Sequence, residues 1–281
     1  MTSKKDMTFT GERAEFMAKD IEYVSCTFED GESPLKHSDG VALENCSFKW
    51  KYPLWYSKNV SVKGGRVCEM GRAGIWYSEN VSFEGVKIVA PKSFRRCKGL
   101  SITNTCMPFA EETLWHCEDV TLKNVAAKGD YLAMNCHDMQ IDSLTLDGNY
   151  PFDGAKDIII KNSVLNSKDA FWNSENVTVE NCTIIGEYLG WNSKNMKLIN
   201  CKIESLQGLC FIDGLYMRGC VTNDTTLAFE YSSLDCEIEG HIESVKNPLS
   251  GILRAGSIGE LIMQSDMVDV TATQIITGFA P

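Results

Sequence analysis

Trp172-Asn-Ser-Glu-Asn-Val-Thr-Val-Glu-Asn-Cys182 is followed nineteen positions later by Trp191-Asn-Ser-Lys-Asn-Met-Lys-Leu-Ile-Asn-Cys201. Two earlier stretches, Trp55-Tyr-Ser-Lys-Asn-Val-Ser-Val-Lys-Gly64 and Trp76-Tyr-Ser-Glu-Asn-Val-Ser-Phe-Glu-Gly85, are copies of the same unit. A fixed period this short is the signature of a stacked solenoid, in which each repeat buries its apolar face only against its neighbours. The register can be followed from Asp20 to Gly214 at about 19 to 20 residues per step, and it loosens beyond that point.

Aligned on this period, the residues fall into columns. Val60, Val81, Leu100, Val120, Met139, Ile158, Val177 and Met196 share one column, and Val62, Phe83, Ile102, Leu122, Ile141, Ile160, Val179 and Leu198 share the column two positions on. Alternation with period two predicts a strand with one buried face. The next corner reads Asn45, Gly64, Gly85, Asn104, Asn124, Asn162, Asn181, Asn200 and Gly219. Asn and Gly are the residues that tolerate a left-handed corner. A second short strand follows, carrying Cys26, Cys46, Cys182, Cys201 and Cys220 in one column. A third stretch, as in Pro53-Leu-Trp-Tyr-Ser57 and Ala170-Phe-Trp-Asn-Ser174, leads back to the start of the unit. Three short strands and three corners without room for a helix predict an all-β chain, a right-handed parallel β-helix. The alternative is a leucine-rich repeat, which places a helical or turn segment on its outer side.

One uninterrupted repeat predicts a single domain over residues 1–281, with an N-terminal cap at 1–19 and irregular C-terminal coils and cap at 240–281. The net charge of -11 opposes nucleic acid and anionic membranes as partners. No run of eighteen apolar residues predicts a membrane span. The first twenty residues are mixed and charged, unlike a secretory signal. The 12 cysteines contain no C-x-x-C pair, so a zinc site is disfavoured. Five of them repeat in the inward column above. Cys97, Cys117 and Cys136 share another column with Ser57, Ser78, Ser174 and Ser193, so all read as small core fillers. Reduced thiols predict a cytoplasmic chain. Neither a metal nor a cofactor is called for.

The W-[YN]-S-[KE]-N-V-x-V repeat, the Gly11-Glu12-Arg13 start, the Lys168-Asp-Ala-Phe-Trp172 and Gly186-Glu-Tyr-Leu189 segments and Lys246-Asn-Pro-Leu-Ser-Gly251 together resemble an uncharacterised bacterial domain-of-unknown-function family with a pectin-lyase-like β-helix fold. The resemblance covers essentially the whole chain. It implies the fold and transfers no catalytic residue, so function has to be read from the site.

Two adjacent columns attract attention. One holds Trp55, Trp76, Arg95, Trp115, Met134, Asp153, Trp172 and Trp191, and its neighbour holds Tyr56, Tyr77, Arg96, His116, Asn135, Gly154, Asn173 and Asn192. The column before the Trp column is apolar, so alternation aims the Trp column outward. Flat aromatic faces suit sugar rings, and Arg and Asn suit hydroxyls and carboxylates. A carbohydrate ligand held by Trp55, Trp76, Trp115, Trp172, Trp191, Arg95, Asn173 and Asn192 is therefore one expectation. A non-catalytic scaffold that binds protein, or a second copy of itself, through the same face is the other. Catalytic signals are thinner: Arg95, His116 and Asp153 within the stripe, and Asp169 with Glu187, which lie one coil apart at the spacing of a retaining glycosidase pair. Whether the chain is an enzyme stays open.

Overall fold

The computed structural model describes residues 2–278, and the chain divides into two compact units, Met1–Thr145 and Leu146–Pro281. In the first unit, Thr2–Lys5 pairs in parallel with Ile21–Val24, which is followed in turn by Asp39–Glu44, Lys58–Lys63, Glu79–Glu84, Lys98–Met107 and Glu118–Lys128. Thr8–Phe9, Thr27–Phe28, Ser47–Phe48, Arg66–Val67 and Lys87–Ile88 form a second parallel ladder. The segment read as an N-terminal cap thus carries strands that pair in register with the next coil.

The second unit repeats the plan. Lys156–Lys161, Glu175–Glu180, Lys194–Ile199 and Asp213–Thr226 form one ladder, and Val164–Asn166, Thr183–Ile185 and Lys202–Leu206 form the other. Ser233–Lys246, Ser250–Ile262 and Thr273–Thr277 complete the unit, with register shifts between Met217 and Cys220 and between Ile238 and His241. These irregularities are where the sequence period loosens. Each unit is a parallel β-solenoid. Among the described residues the one helical segment is a 3-10 turn at Glu69–Gly71, which removes the leucine-rich alternative. Among the described residues no helix is long and apolar enough to cross a membrane.

The coil differs from the expected three strands in one respect. The third stretch is mostly a run of turns; among the described residues Ile75–Trp76 and Phe94–Arg95 pair as strands there, and a single bridge joins Arg95 to Trp115. In one coil, Asp169, Phe171 and Asn173 have φ of 57°, 64° and 53°. Left-handed residues at alternate positions bend this side around the core, and extended pleating cannot persist through them. The backbone still bonds coil to coil, as in Asn173 N–H to the Trp191 carbonyl at 3.0 Å. The alternation of burial survives: Leu54, Ile75, Phe94, Leu114, Phe152 and Phe171 are all essentially inaccessible.

Each column is a ladder of like residues whose chemistry has to close on itself. Inside, Phe28 stacks on Phe48 with ring centres 4.9 Å apart, and Phe152 stacks on Phe171 at 5.1 Å. At the Asn corner, Asn124 Nδ2 donates to Asn104 Oδ1 at 2.7 Å, and Asn200 Nδ2 donates to Asn181 Oδ1 at 3.3 Å. The Cys and Ser columns are more than filler. Ser78 Oγ donates to the Leu54 carbonyl at 2.6 Å, Ser193 Oγ to that of Phe171 at 2.7 Å, and Cys220 Sγ to that of Leu198 at 3.3 Å, each reaching back one coil. A small donor at an inner corner gives these buried carbonyls a hydrogen bond from the neighbouring coil. Every cysteine is a free thiol, and burial pushes Cys182 up to about 11.

Outside, alternating charge does the same for register. Lys58 meets Glu79 at 2.9 Å, Lys98 meets Glu118 at 2.8 Å and Lys156 meets Glu175 at 2.9 Å, all one coil apart in one column. Exposed pairs of this kind contribute little to stability. Their larger effect is selective, because a slipped register would set like charges opposite each other.

Two glycines separate the roles of space and backbone. Gly186 has φ of 152°, and a Cβ there would stand 1.9 Å from the Ser167 carbonyl oxygen. Gly85 has φ of 65° with nothing within 4 Å, at a corner other coils fill with Asn. Gly186→Ala is expected to destabilise the chain by more than about 2 kcal/mol. Gly85→Asn is expected to leave the thermal midpoint unchanged or raise it. Melting curves of the two variants check both.

Candidate functional site

The Trp column lies on the outside of each unit, and its indoles are half-buried rather than free. Each ring N–H is already used inside the protein. Trp55 donates to the Ala73 carbonyl, Trp76 to that of Lys92 at 2.9 Å and Trp115 to that of Tyr131 at 2.7 Å. In the second unit Trp172 donates to the Tyr188 carbonyl at 3.2 Å and Trp191 to that of Gln207 at 2.6 Å. The flat faces are used as well. Trp55 and Trp76 stack at 5.2 Å and 10°, and Trp172 and Trp191 at 6.0 Å and 13°.

Arg95 takes the place of a Trp in its coil. Its guanidinium carbon sits 4.9 Å from the Trp76 ring centre and 4.3 Å from that of Trp115. Nη2 donates to Glu112 Oε2 at 2.6 Å, and Lys92 approaches the same carboxylate at 3.0 Å. Burial alone would raise the Glu112 pKa; the hydrogen bonds and charges of Lys92 and Arg95 outweigh it and hold the carboxyl below its ordinary value. Sandwiched this way, Arg95 Nε is buried without a hydrogen-bond partner. The expectation that open indole faces receive sugar rings therefore meets a physical obstacle, since stacking at the coil spacing covers those faces.

The neighbouring column is the accessible one. Tyr56 and Tyr77 are 40% and 39% exposed and stack on each other at 4.9 Å and 7°. His37 extends the stack at 5.2 Å from Tyr56, and Lys36 Nζ lies 5.5 Å from the Tyr56 ring centre. Arg96 and His116 continue the column and are exposed. Left-handed φ of 55°, 58°, 51° and 54° at Tyr56, Tyr77, Arg96 and His116 turns these side chains outward at a corner. Arg96 has no acidic partner among the described residues. The pKa of His116 is lowered, first by burial and then by the charges of Arg96 and Arg95.

The remaining candidates lie in the second unit. Asn192 Nδ2 donates to Asn173 Oδ1 at 2.8 Å, and Asn173 Nδ2 donates to Asp153 Oδ1 at 2.9 Å, so these three form an exposed ladder ending on a carboxylate. Asp169 and Glu187 do occupy successive coils, with Asp169 N–H on the Glu187 carbonyl at 2.8 Å. Asp169 is only 6% exposed, and its pKa is raised, chiefly by burial and then by Glu187, while Lys168 and a hydrogen bond from Tyr150 oppose the shift. The Glu187 carboxylate meets Lys168 Nζ at 3.0 Å. Asp169 is thus a buried acid hydrogen-bonded by Tyr150, and Glu187 is ion-paired to Lys168.

Column reading overlooked the partners that lie outside the columns it compared. Glu112, which clamps Arg95, sits on a turn in the following coil. A three-residue cluster at Glu118, His137 and Asp138 was also missed. Its signal was present in the sequence as Glu118 and His137 in successive coils of the alternating-charge column, with Asp138 at the corner that follows.

Trp76→Ala is expected to lower stability by about 2 kcal/mol, from lost ring burial and the lost cation–ring contact; chemical denaturation measures it. Asp169→Asn keeps the acceptor for Tyr150 and suits a left-handed φ. With the folded pKa raised, ionised Asp169 weakens the fold at neutral pH, and that penalty disappears as pH falls toward the ordinary value of 3.8. The variant should therefore melt above the parent at pH 7, and the gap should close on acidification.

A family model described as "Protein of unknown function (DUF3737)" matches residues 2–276. No curated protein sequence matches the chain. Among solved structures, the Streptococcus pneumoniae surface protein and adhesin PfbA is similar at 14% identity and TM-score 0.36, over 92% of this chain and 76% of that one. The Azotobacter vinelandii mannuronan C-5 epimerase AlgE4 A-module is similar at 10% identity and TM-score 0.29, over 92% and 86%. An alginate lyase from Paenibacillus sp. is similar at 8% identity and TM-score 0.28, over 97% and 98%.

Proposed function

Since the chain belongs to the DUF3737 family of proteins of unknown function, we propose from its own side chains that it is a non-catalytic binding module for an acidic oligosaccharide. The observation that carries this reading is the unpaired Arg96 guanidinium, set between Tyr77 and His116 on an exposed corner. Many lysines of this acidic chain have a glutamate one coil away. Arg96 and Lys36 lack one and bracket the Tyr56–Tyr77 pair. Three coils separate them, about 14 Å at the strand spacing. A chain with repeated carboxylates meets that spacing, while tyrosine hydroxyls and ring edges meet its hydroxyls. Arg offers a planar fork that matches carboxylates. The half-buried Trp ladder and its Arg95–Glu112 clamp hold this corner rigid from beneath, so little side-chain freedom is lost on binding.

Twelve cysteines without a disulfide support a reducing, cytoplasmic setting for this module. Self-association through the same face is the second reading, favoured by Phe16 and Met17, which are 40% and 64% exposed near His37 and Tyr56. It would appear in light scattering as a dimer that Met17→Glu dissolves.

The test is a panel of uronate oligomers, neutral glucans and single-stranded DNA against the chain and two variants. Uronate binding is expected, and Arg96→Gln and Tyr77→Ala should each weaken it at least about tenfold with unchanged melting. A bound carboxylate would favour protonated His116, so affinity should rise from pH 7.5 to 5.5, and His116→Gln should flatten that rise. Binding to neutral glucans alone, to DNA alone, or with no loss in Arg96→Gln would sink the proposal.

A further inference from the structure

At the corner that begins the unit, Asn59, Asn80, Asn176 and Asn195 build short amide ladders that end on a carboxylate. Asn80 Nδ2 donates to Asn59 Oδ1 at 3.2 Å, and Asn59 Nδ2 donates to Asp39 Oδ1 at 2.8 Å. A carboxylate at the end of such a ladder is satisfied, because an amide above it supplies the proton. In the first unit the ladder stops at Gly99 and is followed by Asp119 and Asp138, two carboxylates in successive coils. Neither can donate to the other, and like charges at one coil spacing repel. The Asp119 carboxylate accepts no hydrogen bond among the described residues. At this interruption Glu118, His137 and Asp138 bring two carboxylates and an imidazole together, with one ligand atom from each lying within 4.8 Å of the others. His137 Nδ1 stands 2.9 Å from Asp138 Oδ2.

The geometry points to a divalent transition-metal site formed by Glu118, His137 and Asp138, with zinc the best-fitting ion. The donor set excludes a hard-cation cage, because calcium and magnesium take oxygen ligands almost exclusively, whereas one imidazole with two carboxylates suits zinc. Bonds of about 2.0–2.2 Å place tetrahedral donors about 3.4 Å apart. All three side chains are at least partly exposed and can close that distance by rotation. Three protein ligands leave the fourth position open to water or to an anionic group. The competitor is Lys98, whose ammonium holds Glu118 at 2.8 Å and whose own pKa is raised by that hydrogen bond. With Asp119 beside them the acidic groups outnumber that one lysine, so the corner attracts cations. This site rests on none of the residues assigned to the oligosaccharide.

Calorimetric titration of the reduced full-length chain with ZnCl2 tests it, with Cys106→Ser as background because Cys106 is an exposed thiol. One zinc per chain is expected. His137→Gln and Glu118→Gln should each weaken it at least about tenfold, and Lys98→Met should tighten it by freeing Glu118. A purely structural role for His137 would not produce the Lys98→Met gain. Absence of zinc binding, binding lost in Cys106→Ser, binding unchanged in His137→Gln, or tighter binding of CaCl2 than of ZnCl2 would each overturn the assignment.

Discussion

Parallel pairing at one coil per step dominates this molecule. Strand neighbours lie about 4.8 Å apart, so whatever occupies a position in one coil must tolerate its equivalent directly above and below. That single constraint selects residues able to close on copies of themselves: flat rings that stack, amides that both donate and accept, thiols and hydroxyls that reach one coil back, and charges that alternate in sign. A residue that fails this self-compatibility needs a partner from another column. The Arg95–Glu112 clamp is such a case, with two indoles covering the guanidinium and a turn carboxylate taking its charge.

The same constraint explains what could be read in advance. The inward columns, the Asn corners and the burial of Leu54, Phe94 and Phe171 follow directly from the period. The third face was legible in its burial and not in its backbone. Apolar alternation is the same for an extended strand and for a run of alternating left-handed residues, so Phe171 at φ of 64° leaves no trace in polarity. The site was half legible for a related reason. Period placed Trp55, Trp76 and Trp115 in one outer column, but it could not say that the third stretch of the following coil would offer Ala73, Lys92 and Tyr131 carbonyls to their ring N–H groups. Those acceptors lie in the irregular part of the unit, where column alignment is weakest.

This geometry also revises what an outward aromatic stripe means. On an isolated strand an exposed indole offers a face, and the apolar area it leaves in water argues for a ligand. In a solenoid the next coil supplies that face. The Trp ladder becomes an outer counterpart of the phenylalanine stacks within the coil, and the faces turned along the stack are taken. Recognition then shifts to groups that project beyond the stack, namely tyrosine hydroxyls, an unpaired guanidinium and an imidazole.

It follows that a repeat protein advertises function where a column departs from its own rule. Most positions are determined by the need to stack, and they carry no information beyond the fold. Arg96 follows Tyr56 and Tyr77 in their column, and Asp119 and Asp138 stand at a corner where Asn59 and Asn80 form an amide ladder. Neither change improves stacking: the first places an uncompensated cation beside a histidine, and the second sets like charges one coil apart. Natural chains keep such locally unfavourable choices mainly where a site needs them.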